Sequence, residues 1–456
     1  MAGCAATSNI TIPSAATDIP KTFAAATEPY GPVDQRWWER FGDDRLNELI
    51  EEAITESPAV GQAIARSVQA RAQAKIAGVD LLPQVSGTFG GMRQGQGSAA
   101  SSTGTSTTSN RFDLGVDVSW EVDIWGRLSS QSAAARADFL ASEENLRATR
   151  QAIAAQTARS YFATIESEQQ VALSRRVVET FGEITRQISN RADVGIAAPN
   201  DKALAIANLQ SATAGLAQRE EGLERVRRQF EVLLRDYPDG TMPVAGNLPT
   251  APTPPPAGLP AELLERRPDV HASELALRAA GYRATAAERS LLPSISLTGN
   301  AGTASEGISN LLDPAYFIWS IGGRLLQPIF QGGRLRAQVE LREGQRDEAL
   351  EAYADTVLNA LSEVETALAV ERQLAYREAA LERAADAAEQ SVAISFNRYR
   401  AGIDPFLTVL ESQQRALDSR SGYLAARRAR LENRIDLHLA LGGGFETAPE
   451  FAPEEE

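Results

Sequence analysis

From Phe112 to Ile124 the chain alternates apolar and polar residues without a break. Phe112, Leu114, Val116, Val118, Trp120, Val122 and Ile124 fall on one side. Asp113, Gly115, Asp117, Ser119, Glu121 and Asp123 fall on the other. A period of two sends successive side chains to opposite faces of a β-strand, so one face is greasy and the other acidic. At about 3.3 Å per residue the strand spans roughly 43 Å, more than a bilayer core requires. Weaker alternation marks an earlier strand at Val85 and Phe89 and a third at Ile295 and Leu297. A fourth is expected from Tyr316 to Phe330, apolar on both faces near Phe317-Ile318-Trp319. Two architectures accept such strands: a sheet on a soluble core, or a lipid-facing barrel with a polar lumen. A membrane barrel has no open edge, and the smallest have about eight strands. Four strands per chain therefore favour a barrel shared by several chains. Phe112, Trp120, Trp125, Tyr316 and Trp319 are candidate interfacial aromatics, with ordinary packing as the alternative for each. The polar stretches 93–110 and 303–315 read as hairpin tips.

The remainder reads as helix, in two copies of one unit. Leu81-Leu82-Pro83-Gln84-Val85-Ser86 returns as Leu291-Leu292-Pro293-Ser294-Ile295-Ser296, Trp125-Gly126-Arg127-Leu128 as Gly332-Gly333-Arg334-Leu335, and Val194-Gly195-Ile196 as Ala401-Gly402-Ile403. From Arg127 to about Asp193, and again from Arg334 to about Arg400, there is no proline and a single glycine (Gly182, Gly344). Each stretch predicts a helix of roughly 100 Å, against a usual length of about 11–12 residues. Leu350, Ala354, Val357, Leu361, Val364 and Leu368 alternate spacings of four and three, a coiled-coil seam. Shorter helices are expected near 46–82, 200–236, 261–291 and 406–441, stacking in pairs against the long ones. The predicted organisation is an extended N-terminal segment (1–45), a first repeat (46–240), a proline-rich linker (241–260), a second repeat (261–441) and a disordered acidic tail (442–456).

Composition removes several function classes. With 45 Lys+Arg against 60 Asp+Glu, the net charge of −15 argues against nucleic acid. Two histidines (His271, His438) and one cysteine (Cys4) leave little for metal sites, Cys-His pairs or disulfides. Catalytic and phosphate-binding motifs are missing, so neither an enzyme nor a cofactor is expected. The chain opens Met1-Ala2-Gly3-Cys4. A small-small-Cys triplet precedes lipid attachment in bacterial lipoproteins, and the expectation is that Met1 stands in place of a signal peptide and that Cys4 carries lipid. A plain exposed thiol is the alternative.

Several motifs together resemble the TolC-like outer membrane factor family, in its lipoprotein branch. They are Trp37-Trp38-Glu39-Arg40-Phe41 with Leu46-Asn47-Glu48-Leu49-Ile50, then Leu259-Pro260-Ala261-Glu262-Leu263-Leu264-Glu265-Arg266-Arg267-Pro268-Asp269-Val270, then Leu292 to Gly299, Pro328 to Leu335, and Tyr399-Arg400-Ala401-Gly402 with Leu407 to Gln413. The resemblance spans about 34–441 and implies a homotrimer with a 12-stranded outer-membrane barrel above a helical tunnel crossing the periplasm. It also implies a tripartite pump with a periplasmic adaptor and a proton-driven inner-membrane transporter, exporting drugs, metals or other small solutes. A TolC-like exit for secreted proteins and a lipid-anchored helical structural protein or adhesin without a pore are the other readings.

The resemblance places a periplasmic gate at Leu407, Thr408 and Glu411. Residues 407 and 411 lie one helical turn apart on one face, so threefold symmetry would make rings of each. Thr408 departs from the acidic residue often found there, and the alternative for Glu411 is a solvated helix position. Gly195 and Gly402 suit helix C-termini that need positive φ. With Arg191, Arg398 and Arg400 they form the expected adaptor-docking tip, although arginines there also favour the helix dipole. Asp113, Asp117, Glu121 and Asp123 are expected to face the barrel lumen.

Overall fold

The computed structural model describes residues 22–25, 36–97, 106–244, 246–255 and 260–443. Cys4, the stretch 98–105 and the tail from 444 lie outside the described residues. The chain divides into two compact units. The first takes Arg66–Glu143 and Ala272–Ala354; the second takes Thr17–Ala65, Glu144–His271 and Asp355–Glu456.

In the first unit four strands form one antiparallel sheet in chain order: β1 (Gln84–Gln96), β2 (Thr107–Val122), β3 (Ser294–Ser305) and β4 (Phe317–Leu326). Among the described residues no strand covers the outer edge of β1 or of β4. Residues directly opposite one another share a face. Val85 pairs with Val118 and Phe89 with Leu114; Trp120 pairs with Leu297 and Val122 with Ile295; Ala301 pairs with Trp319 and Thr303 with Phe317. All these apolar side chains therefore lie on one face, and the register resolves the ambiguous fourth strand. Phe317, Trp319, Ile321 and Leu325 join the apolar face, while Ile318 and Leu326 fall on the polar one. The strand is shorter than 316–330. Pro314–Tyr316 forms a 3₁₀ turn capped by the Asp313 side chain, which accepts Ala315 N–H at 2.9 Å, and Pro328 has no N–H to extend the ladder.

The two long helices are α3 (Arg127–Asp193) and α7 (Arg334–Arg400), 67 residues each. Along α7, Val357 and Val364 of the expected seam are fully buried, and Leu350, Ala354, Leu361 and Leu368 are half-buried. The helix expected over 46–82 is two, α1 (Asp44–Glu56) and α2 (Pro58–Val79); that over 261–291 is also two, α5 (Pro260–Arg266) and α6 (Pro268–Arg289). The cause is the same at both breaks: the ring of Pro58 or Pro268 excludes the preceding carbonyl and supplies no N–H, but suits a first helical turn. Two further helices are α4 (Pro199–Leu234) and α8 (Phe406–Ala440).

The second unit has a core built on Trp37, Trp38, Phe41, Leu46, Leu49 and Ile50, packed against Tyr161, Phe162 and Ile165 of α3, Phe230 of α4 and Leu431 and Ile435 of α8. Asp43 closes the start of α1 through Leu46 N–H at 3.1 Å, and its other oxygen accepts the Tyr161 hydroxyl at 2.8 Å. The proline-rich segment packs on this core. Met242 and Leu248 are buried there, Arg427 Nη2 donates to Leu248 O at 2.9 Å, and the buried Glu231 carboxylate accepts Gly240 N–H at 2.8 Å and Met242 N–H at 3.1 Å. Prolines keep this segment out of helix and strand, but apolar residues between them still anchor it.

Candidate functional site

Three places carry chemistry or mechanics. The first is the sheet. Its apolar face is exposed along its length: Trp319 is 68% and Ile321 81% accessible, and Val85, Phe89, Leu114, Val116 and Leu325 are exposed as well. A face of this size cannot remain in water, because soluble surfaces rarely expose apolar patches beyond a few hundred Å². The opposite face carries Asp113, Asp117 and Glu121, the first two opposite Gly90 and Ser86 of β1. Asp113 lies over Gly90, where a Cβ would come within 2.6 Å of its Oδ2. Asp117 accepts Thr88 Oγ1 at 2.8 Å and Asn300 Nδ2 at 2.9 Å. Glu121 is paired with Arg127 Nη2 at 2.7 Å. Asp123 leaves the row: it lies past the end of β2, and its two oxygens accept Leu128 N–H at 3.0 Å and Ser129 N–H at 2.8 Å at the start of α3. Trp120 and Trp125 are pinned at the same end, their indole N–H groups donating to Leu81 O at 2.9 Å and Pro293 O at 2.7 Å.

The second place is the pair of turns joining α3 to α4 and α7 to α8. Both are built alike. Gly195 (φ +77°) donates to Ala192 O and Ile196 to Arg191 O at 2.8 Å; Gly402 (φ +73°) donates to Tyr399 O and Ile403 to Arg398 O at 2.9 Å. This double closure satisfies the last carbonyls of a helix and needs a residue without a Cβ at its left-handed position. Of the expected docking residues, Arg398 is held by Asp404 through both carboxylate oxygens at 2.7 and 2.9 Å. Hydrogen bonding and the charge of its partner hold the Asp404 carboxyl below the usual range. The Arg191 guanidinium lies 5.6 Å over the Tyr399 ring, and Tyr399 in turn packs against Phe406. Gly195, Arg400 and Gly402 are exposed. Past the second turn, Phe406, Val409 and Leu410 are buried with Phe181, Ile184 and Ile188 of α3, which leaves Leu407 and Glu411 together on the exposed side and Thr408 half-buried beside them. Tyr399 entered the sequence reading only as the first residue of the tip motif, with no role of its own; Asp404 and Phe406 were not singled out, and adjacency to the expected tip was their only signal.

The third place is a set of buried charges. Arg267, from the Arg-Arg-Pro-Asp motif, is nearly buried. It grips Asp269 through Nε (3.0 Å) and Nη2 (2.6 Å), while Nη1 donates to Glu363 of α7 at 2.7 Å and to Ala440 O of α8 at 3.1 Å. The motif thus ties the start of α6 to α7 and α8. Glu371 is a second hub. Its Oε1 takes Arg434 Nη2 at 2.6 Å and Arg430 Nε at 3.1 Å, and its Oε2 takes Asn433 Nδ2 at 3.2 Å. Arg434 and His438 are fully buried. Burial, with the nearby charges of Arg40 and Arg434, pushes the His438 imidazolium down to about 3. The His271 ring Nε2 lies 2.9 Å from Glu265 O. No group of residues able to hold a metal occurs among the described residues.

The profile of the outer membrane efflux protein family matches residues 49–233 and again 259–443. Outer membrane protein OprJ of Pseudomonas aeruginosa is 31% identical over 432 residues, covering 93% of this chain and 89% of that one. Cation efflux system protein CusC of Escherichia coli is 29% identical over 422 residues, covering 90% and 88%. The crystal structure of the Campylobacter jejuni CmeC outer membrane channel superposes with a TM-score of 0.89 at 26% identity, over 96% of this chain and 94% of that one. The chain belongs to the outer membrane efflux protein family and is an outer-membrane efflux channel with a periplasmic extension.

Proposed function

We propose that three copies complete one 12-stranded barrel, four strands from each, and that the channel is a passive exit duct. The observation that carries this reading is the sheet: an exposed apolar face, a polar opposite face, and outer edges on β1 and β4 that no strand covers among the described residues. In hydrocarbon every backbone group must be paired, so those edges need strands from other copies. The two matches of the family profile and the equal lengths of α3 and α7 support two copies of one structural unit, divided by the proline-rich segment.

The channel works in this reading as the outer part of a tripartite pump. A periplasmic adaptor docks on the turns at Arg191, Gly195, Arg398, Arg400 and Gly402, and an inner-membrane transporter driven by protons loads drugs, metals or other small solutes. Leu407, Thr408 and Glu411 form the periplasmic constriction, Asp113, Asp117 and Glu121 face the lumen, and lipid on Cys4 adds a membrane anchor. Unheated electrophoresis and planar-bilayer recording test the duct: oligomers that resist detergent and open in lipid support it. A monomer that stays in the aqueous phase after mixing with vesicles defeats it. Deletion of the gene, followed by a susceptibility panel of antibiotics and metals, tests the export role.

A further inference from the structure

The first unit holds a groove of about 520 Å³ between the first turns of α3 and α7 and the last turns of α6. Its floor is methyl, since Ala134, Ala286 and Ala287 are buried there. Its rim is cationic. Arg127, Arg283 and Arg342 line it, with Asp138 as the one carboxylate in the lining. Arg283 is bonded to Asp138. Burial pushes the Asp138 carboxyl above its usual range, against the pull of Arg283. Arg342 donates to Gln345 Oε1 at 2.9 Å and has no carboxylate partner among the described residues. Arg127 reaches Glu121, which belongs to the polar face of the sheet. The groove therefore opens beside the surface assigned above to the lumen.

We propose that this groove binds organic anions, solutes with an apolar body and sulfonate, phosphate or carboxylate groups, and holds them on the exit path. Guanidinium groups match such oxyanions in plane and charge, and charge-assisted hydrogen bonds are about twice as strong as neutral ones. The alanine floor takes the apolar body, the usual division of labour in a ligand cleft. The place on a transport path rests on the duct reading, but binding does not need an open pore.

The test uses the full chain purified in detergent and pyrenetetrasulfonate, followed by fluorescence anisotropy. Saturable binding that weakens with added salt is expected. Arg342→Gln weakens it at least tenfold. The double variant Arg283→Gln with Asp138→Asn, which removes the ion pair without stranding either charge, weakens it as well. A pyrene carrying trimethylammonium groups does not bind. Absence of saturable binding, an isotherm unmoved by both variants, or equal binding of the cationic pyrene overturns the assignment. Because the assay needs no conductance, its failure is distinct from a failure of the duct reading in the bilayer.

Discussion

The indole of Trp37 lies flat against the imidazole of His438, ring centroids 5.7 Å apart and planes 18° from parallel. Neither ring nitrogen of His438 has a hydrogen-bond partner among the described residues, and the residue is wholly buried. Such a site accepts the neutral ring and rejects the charged one. With the folded value at about 3 and the ordinary imidazole value at 6.5, the unfolded chain takes up the proton first as pH falls. The stability this residue confers is complete above about pH 6.5 and drains away towards pH 3, a loss of roughly 2 kcal/mol by pH 5. His438→Phe keeps the stack and removes the titration. Urea midpoints at pH 7.5 and pH 5 should converge in this variant and stay apart in the parent chain. Equal acid sensitivity in both would show that the proton goes elsewhere.

Glu371 makes a different demand, because it neutralises a guanidinium that has no access to water. Arg434 is wholly buried, and its Nη2 finds Glu371 at 2.6 Å. Removing one partner of a buried ion pair strands the other, at about 3–5 kcal/mol. Glu371→Ala should lower unfolding stability by that order. Replacing Glu371 and Arg434 together by Leu and Met should recover most of it. A single variant as stable as the parent would mean that water reaches Arg434.

The two turn glycines predict a smaller, local effect. Gly402 sits at φ +73° with no atom near its missing Cβ, so space is not what excludes a side chain there. The left-handed backbone alone costs an alanine about 1–2 kcal/mol. Gly402→Ala should speed hydrogen exchange at Ile403 and Gly402 N–H while leaving the Trp37 core protected, a pattern that exchange mass spectrometry resolves. Gly402→Asn, which tolerates this conformation better, should fall between the two.

How much of this was legible beforehand follows from the range of each interaction. The alternation in β2 and the absence of proline from α3 and α7 are local signals, and they sufficed for the strand, the helix lengths and the membrane reading. The faces of β4 were not legible, since Phe317-Ile318-Trp319 is apolar throughout and only its register with Ala301 and Thr303 sorts it. Asp123 shares the alternation of the acidic row, yet the start of α3 four residues later captures its carboxylate as a cap. Arg267 stood out as part of a motif, but its role depends on Glu363, nearly a hundred positions away, and no spacing rule reaches that far. The breaks at Pro58 and Pro268 were present in the sequence; what hid them was that proline also starts helices well.

The exposed pair Leu407 and Glu411 gives the most direct test of the constriction. The two sit one turn apart while Phe406, Val409 and Leu410 anchor the opposite side of α8. Placed around a threefold axis, three Glu411 carboxylates would raise the local cation concentration and disfavour anions. Glu411→Gln should therefore lower the cation-to-anion permeability ratio measured from reversal potentials under a salt gradient, most clearly at low ionic strength, where screening is weakest. Asp117→Asn should shift the ratio in the same direction from the barrel end. Leu407→Ala should act on opening frequency rather than on selectivity, because it changes the width of an apolar ring and no charge. If Glu411→Gln leaves the reversal potential where it was and Leu407→Ala leaves opening unchanged, α8 does not line the constriction and the gate lies on other residues.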